Sequence, residues 1–200
     1  MVRTVTRSVR IGVLALQGDF IAHARALAAV GAEPTEVRRP EQLAPLHGLI
    51  LPGGESTTWL RLMIEYGFNE AIADFHKSGR LLYGTCAGLI MLAREVLNPP
   101  QPSLGLLDVS VRRNAYGRQI DSFVDTGTLR WNGGPPESAE MIFIRAPRIV
   151  RVGDCVEIIG ELKGEPTLVR QGTLWGGTFH PELSEPPMIH RRFVEASSQV

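Results

Sequence analysis

Through the first half of the chain, short apolar runs alternate with stretches of helical periodicity. Residues 9–16 (V-R-I-G-V-L-A-L) are a continuous apolar run of strand length that stops at Gln17-Gly18-Asp19, and residues 20–30 then take up an alanine- and leucine-rich helical pattern. Gly31 suits the end of that helix. Residues 34–37 read as a second strand, 41–43 as a partial turn, and 48–51 as a third strand broken by Pro52-Gly53-Gly54. Ser56 or Thr57 can cap a helix over 58–66, and a second helical stretch covers 69–77. Gly79 ends it before an apolar run that closes at Gly84, and a further helix is predicted over 87–97. Strands alternating with helices at this spacing imply an α/β fold, with a mostly parallel sheet covered by helices on both faces.

The texture changes after residue 97. Asn98-Pro99-Pro100-Gln101-Pro102 is a loop, and strand-like pieces follow at 107–112, 141–144, 156–159, 167–170 and 174–179 without clear helices between them. Residues 125–140, which include Gly133-Gly134-Pro135-Pro136, read as a flexible loop or lid. A last helix is expected over 188–196. The picture is one domain spanning residues 1–200, with a β-rich segment in its C-terminal half and a frayed start over residues 1–8.

Composition narrows the partners. Lys plus Arg and Asp plus Glu number 21 each, so no broad field draws the chain to nucleic acid or a membrane surface. Only Cys86 and Cys155 are present, too few for a disulfide framework, which suggests a reducing cytoplasm. No apolar run is long enough to span a bilayer, and no His/Cys cluster has metal-ligand spacing, so no metal and no cofactor are expected.

Candidate chemistry centres on Gly84-Thr85-Cys86-Ala87-Gly88. A strand that turns at once into a helix forces its middle residue into a strained, crowded backbone, and glycines two residues to either side relieve the crowding. The same corner puts the sulfur at a helix N-terminus, which favours thiolate over thiol. A lone cysteine is more often a buried structural one; its flanking glycines and strand-to-helix context make Cys86 a nucleophile candidate. Cys155, at the start of a strand, reads as structural. Of the five histidines, His23, His47, His76 and His190 read as helix surface or loop. His180 instead follows an apolar strand, where side chains converge at the carboxyl edge of a parallel sheet. Glu182 is placed to accept the other imidazole N–H and orient the ring. Pro52-Gly53-Gly54-Glu55-Ser56 could lend a backbone N–H to an oxyanion beside that of Ala87. With no G-K-[ST] after it, a phosphate loop does not fit.

Gly84-Thr85-Cys86-Ala87-Gly88 together with His180-Pro181-Glu182 resembles the triad (class I) glutamine amidotransferases, whose fold is flavodoxin-like and three-layered. Five further stretches are similar to the glutaminase subunits of pyridoxal 5'-phosphate synthase: G-V-L-A-L-Q-G-D from Gly12, L-I-L-P-G-G-E-S-T-T from Leu49, R-R-N-A-Y-G-R-Q from Arg112, F-I-R-A-P from Phe143 and F-H-P-E-L from Phe179. The resemblance implies a Cys86, His180 and Glu182 triad that hydrolyses L-glutamine, with oxyanion donors at Gly54 and Ala87. It also implies that Gly54, Glu55, Ser56, Arg113, Ile144 and Arg145 hold the glutamine, and that Gln17 couples partner docking to the oxyanion loop. The implied partner is the PdxS synthase subunit, which receives the ammonia in a hetero-oligomeric complex. Two departures stand out. Ser184-Glu185-Pro186-Pro187-Met188 replaces the family's Thr-Asp-Asp segment, and Val124 replaces a glutamate common after Ser-Phe; both bear on the last helix and the partner contact. Three alternatives stay open at this point: the glutaminase of another amidotransferase such as imidazole glycerol phosphate synthase, a γ-glutamyl hydrolase acting alone, or a non-catalytic partner module.

Overall fold

The computed structural model describes residues 8–113 and 122–199. The expected frayed start therefore lies, but for Ser8, outside the described residues, as does most of the R-R-N-A-Y-G-R-Q stretch. In order, the chain forms β1 (Arg10–Leu14), α1 (Phe20–Ala29), β2 (Glu33–Val37), β3 (Gly48–Leu51), α2 (Ser56–Glu65), α3 (Phe68–Lys77), β4 (Leu81–Thr85), α4 (Ala87–Leu92) and β5 (Ala93–Leu97). There follow β6 (Leu107–Arg112), β7 (Ser122–Leu129), β8 (Glu137–Ile144), β9 (Arg148–Val152), β10 (Glu157–Leu162), β11 (Glu165–Gln171), β12 (Leu174–Gly177) and α5 (Met188–Ser197).

One sheet runs in the order β2-β1-β3-β4-β12-β11-β10-β7-β8. Its first half, from β2 to β12, is parallel, and its second half is antiparallel. Each parallel strand reads as an unbroken apolar run because both of its faces are covered. Along β3, Leu49 and Leu51 point to the side packed by Trp59, Met63 and Phe68 of α2 and α3. Ile50 points to the other side, with Leu27 of α1 and Phe193 of α5. Trp59 is fully buried, and truncating it to alanine would cost about 3–5 kcal/mol. Among the described residues no helix is long and apolar enough to cross a membrane.

Three expectations need correction. The helix predicted over 87–97 stops at Leu92: Ala93 turns extended, and residues 93–97 become β5, paired in parallel with β6 in a small second sheet with β9. Leu-Ala-Arg-Glu-Val-Leu suits either state, and the unpaired backbone edge of β6 decides it. Strand β9 falls outside every predicted run. Residues 125–140 are no lid, since β7 and β8 pair antiparallel from Ser122↔Ile144 to Leu129↔Glu137 and leave only the turn at 130–136. The Gly133-Gly134-Pro135-Pro136 run that marks the loop falls in that turn, while Gly127 sits inside β7 where a Cβ would lie 2.5 Å from Met141 Cε.

Candidate active site

Strand β12 pairs in parallel with β4, Thr85 opposite Gly177, so the residues just beyond both strands meet at one sheet edge. Cys86 N–H donates to the Gly177 carbonyl at 2.8 Å, and His180 N–H donates to the Ile142 carbonyl at 2.8 Å. These two bonds fix the backbones that carry the sulfur and the imidazole.

Cys86 has φ 50° and ψ −104°, the strained corner expected of a nucleophile elbow. The flanking glycines are required by contact. A Cβ on Gly84 would lie 2.5 Å from the Gly88 carbonyl, and one on Gly88 would lie 2.0 Å from the Leu51 carbonyl oxygen. Gly53 forms the floor, since a Cβ there would meet His180 Cε1 at 2.5 Å and Cys86 Cβ at 3.4 Å.

His180 Nδ1 is 2.7 Å from Glu182 Oε1. Nε2 is buried and makes no hydrogen bond of good geometry, yet the Cys86 side chain is close enough to act on the ring's charge. Burial alone would depress the imidazole; Cys86 and then Glu182 outweigh it and raise its pKa to about 10. The ring is therefore an imidazolium at neutral pH. Burial would likewise raise the Glu182 carboxyl, but His23 first and His180 next hold it down at about 2. One buried carboxylate thus faces one buried imidazolium, the arrangement that keeps a buried charge tolerable.

Beside the sulfur lies a small open cleft lined by Gly54, Glu55, Ser56, Cys86, Ala87, Ile90, Arg113, Ile144 and Arg145. Arg113 is buried, 3.7 Å from Glu55 Oε1. Glu55 caps α2, accepting from Thr57 N at 3.2 Å and Thr58 N at 2.7 Å. Burial would raise its carboxyl, but the bonds from Thr57 and Thr58 prevail and hold it at about 2. Arg145 follows β8 with φ 46°, and the Ile144 carbonyl accepts from Cys86 Sγ at 3.9 Å. Gln17 clasps the glycine loop: its Nε2 donates to the Glu55 carbonyl at 2.8 Å, and its Oε1 accepts from Glu55 N–H at 3.3 Å.

Residues 13–199 match the model of the SNO glutamine amidotransferase family. The chain belongs to that family. Pyridoxal 5'-phosphate synthase subunit PdxT of Koribacter versatilis is 50% identical over 186 residues, which cover 93% of this chain and 94% of that one. The PdxT of Thermus thermophilus is 50% identical over 187 residues, covering 92% and 96%. A crystal structure described as a glutamine amidotransferase superposes with a TM-score of 0.87 at 46% identity, covering 94% of this chain and 98% of that one. The three-layer amidotransferase fold expected from the sequence is thereby shown, β-rich C-terminal half included.

The structure brings the expected site residues together from both sheets: Cys86, Gly54, Ala87, Glu55, Ser56, Arg113, Ile144 and Arg145 line the cleft, His180 and Glu182 stand beside it, and Gln17 holds the loop. Cys155 lies apart, exposed in a turn before β10. Among the described residues no group of His, Cys, Asp and Glu could hold a metal ion. Two histidines depart from expectation. His23 and His190, expected on helix surfaces, are fully buried behind Glu182. A signal existed: His23 shares its helix face with the apolar Ala26 and Leu27 at three and four residues' spacing, and both are buried. Gln101, expected as plain loop, accepts from Ser56 Oγ at 3.1 Å beside the cleft.

Proposed function

We propose that this chain is the glutaminase subunit of a pyridoxal 5'-phosphate synthase, acting through Cys86, His180 and Glu182. The observation that carries the reading is the convergence of the sulfur and the imidazolium beside a cleft that offers two arginines and a carboxylate. A free amino acid has an α-carboxylate that a guanidinium recognises and an α-ammonium that a carboxylate recognises. Arg113 and Arg145 take the first role, Glu55 the second, with Ser56 and the backbone at Gly54 and Ile144 completing the contacts.

Cys86 sulfur attacks the carboxamide carbon, and the N–H groups of Gly54 and Ala87 receive the charge that develops on oxygen. His180, already protonated, donates its proton to the departing nitrogen, and ammonia leaves behind a γ-glutamyl thioester. The now neutral imidazole takes a proton from water, whose oxygen adds to the thioester and releases glutamate and the sulfur. Glu182 holds the ring in the orientation both steps need.

Ammonia set free in water at neutral pH is mostly ammonium and no longer nucleophilic. The reading therefore includes a synthase partner, PdxS, that takes ammonia through a protected path, and a cytoplasmic setting that keeps Cys86 reduced. The Gln17 clasp on the Gly53-Gly54 loop supports a link between partner docking and the oxyanion site. The test is ammonia release from glutamine with and without PdxS, alongside pyridoxal 5'-phosphate formation from pentose and triose phosphates. Release should rise when PdxS is added, and Cys86→Ala should abolish the glutamine-driven product but spare the ammonium-driven one. Equal release with and without PdxS would remove the gating, and no release in either case would remove the function.

A further inference from the structure

Behind the triad lies a row of buried imidazoles that the reaction as written does not use. Glu182 is fully buried along its side chain, and its two oxygens face two different histidines: Oε1 is 2.7 Å from His180 Nδ1, and Oε2 is 3.2 Å from His23 Nε2. Oε2 makes no hydrogen bond of good geometry, and the His23 nitrogen beside it also stands 3.2 Å from Thr85 Oγ1. On its far side, His23 Nδ1 is 2.9 Å from His190 Nε2. His23 and His190 are completely enclosed.

We infer that His23 is a positioning residue for the glutamine-hydrolysing triad, an N–H donor that holds the second oxygen of Glu182 and is itself locked in one tautomer by His190. The inference rests on the glutaminase reading above. A buried carboxylate with one oxygen left bare would rotate or take up a proton, and either change would release the ring it orients. His23 can serve Oε2 only through a proton on Nε2, which leaves Nδ1 as an acceptor; His190 Nε2 is the group placed to donate to it. His190 Nδ1 is then a bare lone pair, and it has no hydrogen-bond partner.

The charges agree. Burial lowers the His23 pKa, with Glu182 and Asp19 opposing it and His180 adding to it. Burial, reinforced by His23 and opposed by Glu182, lowers that of His190 to about 3. Both rings are neutral at pH 7, so the row passes orientation and adds no charge. The polar groups around it are Asp19 of the α1 cap, the Thr85 hydroxyl and Tyr83 phenol of β4, Glu182 and His180 beyond β12, and His190 of α5. The row spans three elements from separate parts of the chain, so helices α1 and α5 are tied to the reacting atoms.

The test compares His23→Leu, which fills the space without a donor, with His23→Gln, whose amide can donate from nearly the same point. Both are assayed for ammonia release in complex with PdxS. His23→Leu should lower kcat about tenfold, the typical loss for an outer hydrogen-bonding partner, with little change in KM. It should also move the alkaline limb of kcat to lower pH, because a loosened Glu182 stabilises the His180 imidazolium less. His23→Gln should restore most of both. Wild-type kcat and pH profile in a folded His23→Leu would overturn the inference, as would His23→Gln no better than His23→Leu. Should the leucine variant fail to fold, nitrogen NMR of the wild-type histidines decides: the inference expects the proton of His23 on Nε2 between pH 6 and 9, and a proton on Nδ1 contradicts it. Failure of the glutaminase reading itself would appear separately, as wild type without ammonia release.

Discussion

His180 Nδ1 and Glu182 Oε1 stand 2.7 Å apart although only Pro181 separates them in the chain. On an extended strand two residues at this spacing would share a face but stand about 6.6 Å apart along the chain. The tight 3-10 turn over Pro181–Leu183, begun by the fixed φ of proline, folds the carboxylate back onto the ring. Replacing Glu182 by Gln keeps the shape and removes the charge, leaving the ring free to adopt the wrong tautomer. The expected outcome is a fall in kcat of about 10²- to 10⁴-fold with KM nearly unchanged, read as ammonia release in the presence of PdxS.

The His180 pKa of about 10 lies above the 6.5 of an unperturbed imidazole. A group that holds its proton more tightly when folded stabilises the fold in full below pH 6.5 and loses that contribution as the pH rises through 10. Melting curves of wild type and His180→Gln between pH 6 and 10.5 should show the wild-type advantage shrinking across that window. An advantage that held constant or grew with pH would contradict the assigned protonation.

Gly53 touches the ring more closely than any other side chain would allow. In Gly53→Ala the new methyl group would lie 2.5 Å from His180 Cε1, and the imidazole, the end of a movable side chain, is what must give way. A displacement of about 1 Å can cost about 10²-fold in rate. The prediction is a large loss of kcat with a Tm within a few degrees of wild type; circular dichroism melts and the ammonia assay measure the two separately.

Arg113 is buried at the cleft, where a planar fork can grip a carboxylate by two bonds and an ammonium cannot. Arg113→Lys should raise KM for glutamine about 10- to 100-fold, the equivalent of losing one charge-assisted hydrogen bond. The rate at which iodoacetamide, which has no α-carboxylate, alkylates Cys86 should stay the same. Equal losses in both would mean that the substitution disturbs the corner at Cys86 itself.

Local rules carried the reading of the triad. Gly84 and Gly88 announced the corner because no side chain fits there, and His180 stood out by following an apolar strand. Nonlocal packing hid the rest. Leu-Ala-Arg-Glu-Val-Leu becomes a strand because β6 offers it an edge, which nothing within 92–97 reveals. The β7–β8 hairpin has polar outward positions, so Thr126-Gly127-Thr128 and Ser138-Ala139-Glu140 read as loop although the inward Leu129, Met141 and Phe143 are buried. His23 and His190 were passed over for the same reason: a lone histidine on a helix does not say which neighbour covers it, and here the two cover each other.

The most direct test of the central claim is to treat the chain with a chloroketone analogue of glutamine and map the labelled peptide, in wild type and in Cys86→Ala. A single adduct on the Cys86 peptide, blocked by excess glutamine and absent from Cys86→Ala, is the predicted result. Labelling at Cys155, or labelling that survives in Cys86→Ala, would contradict the assignment of Cys86 as the glutamine-attacking group.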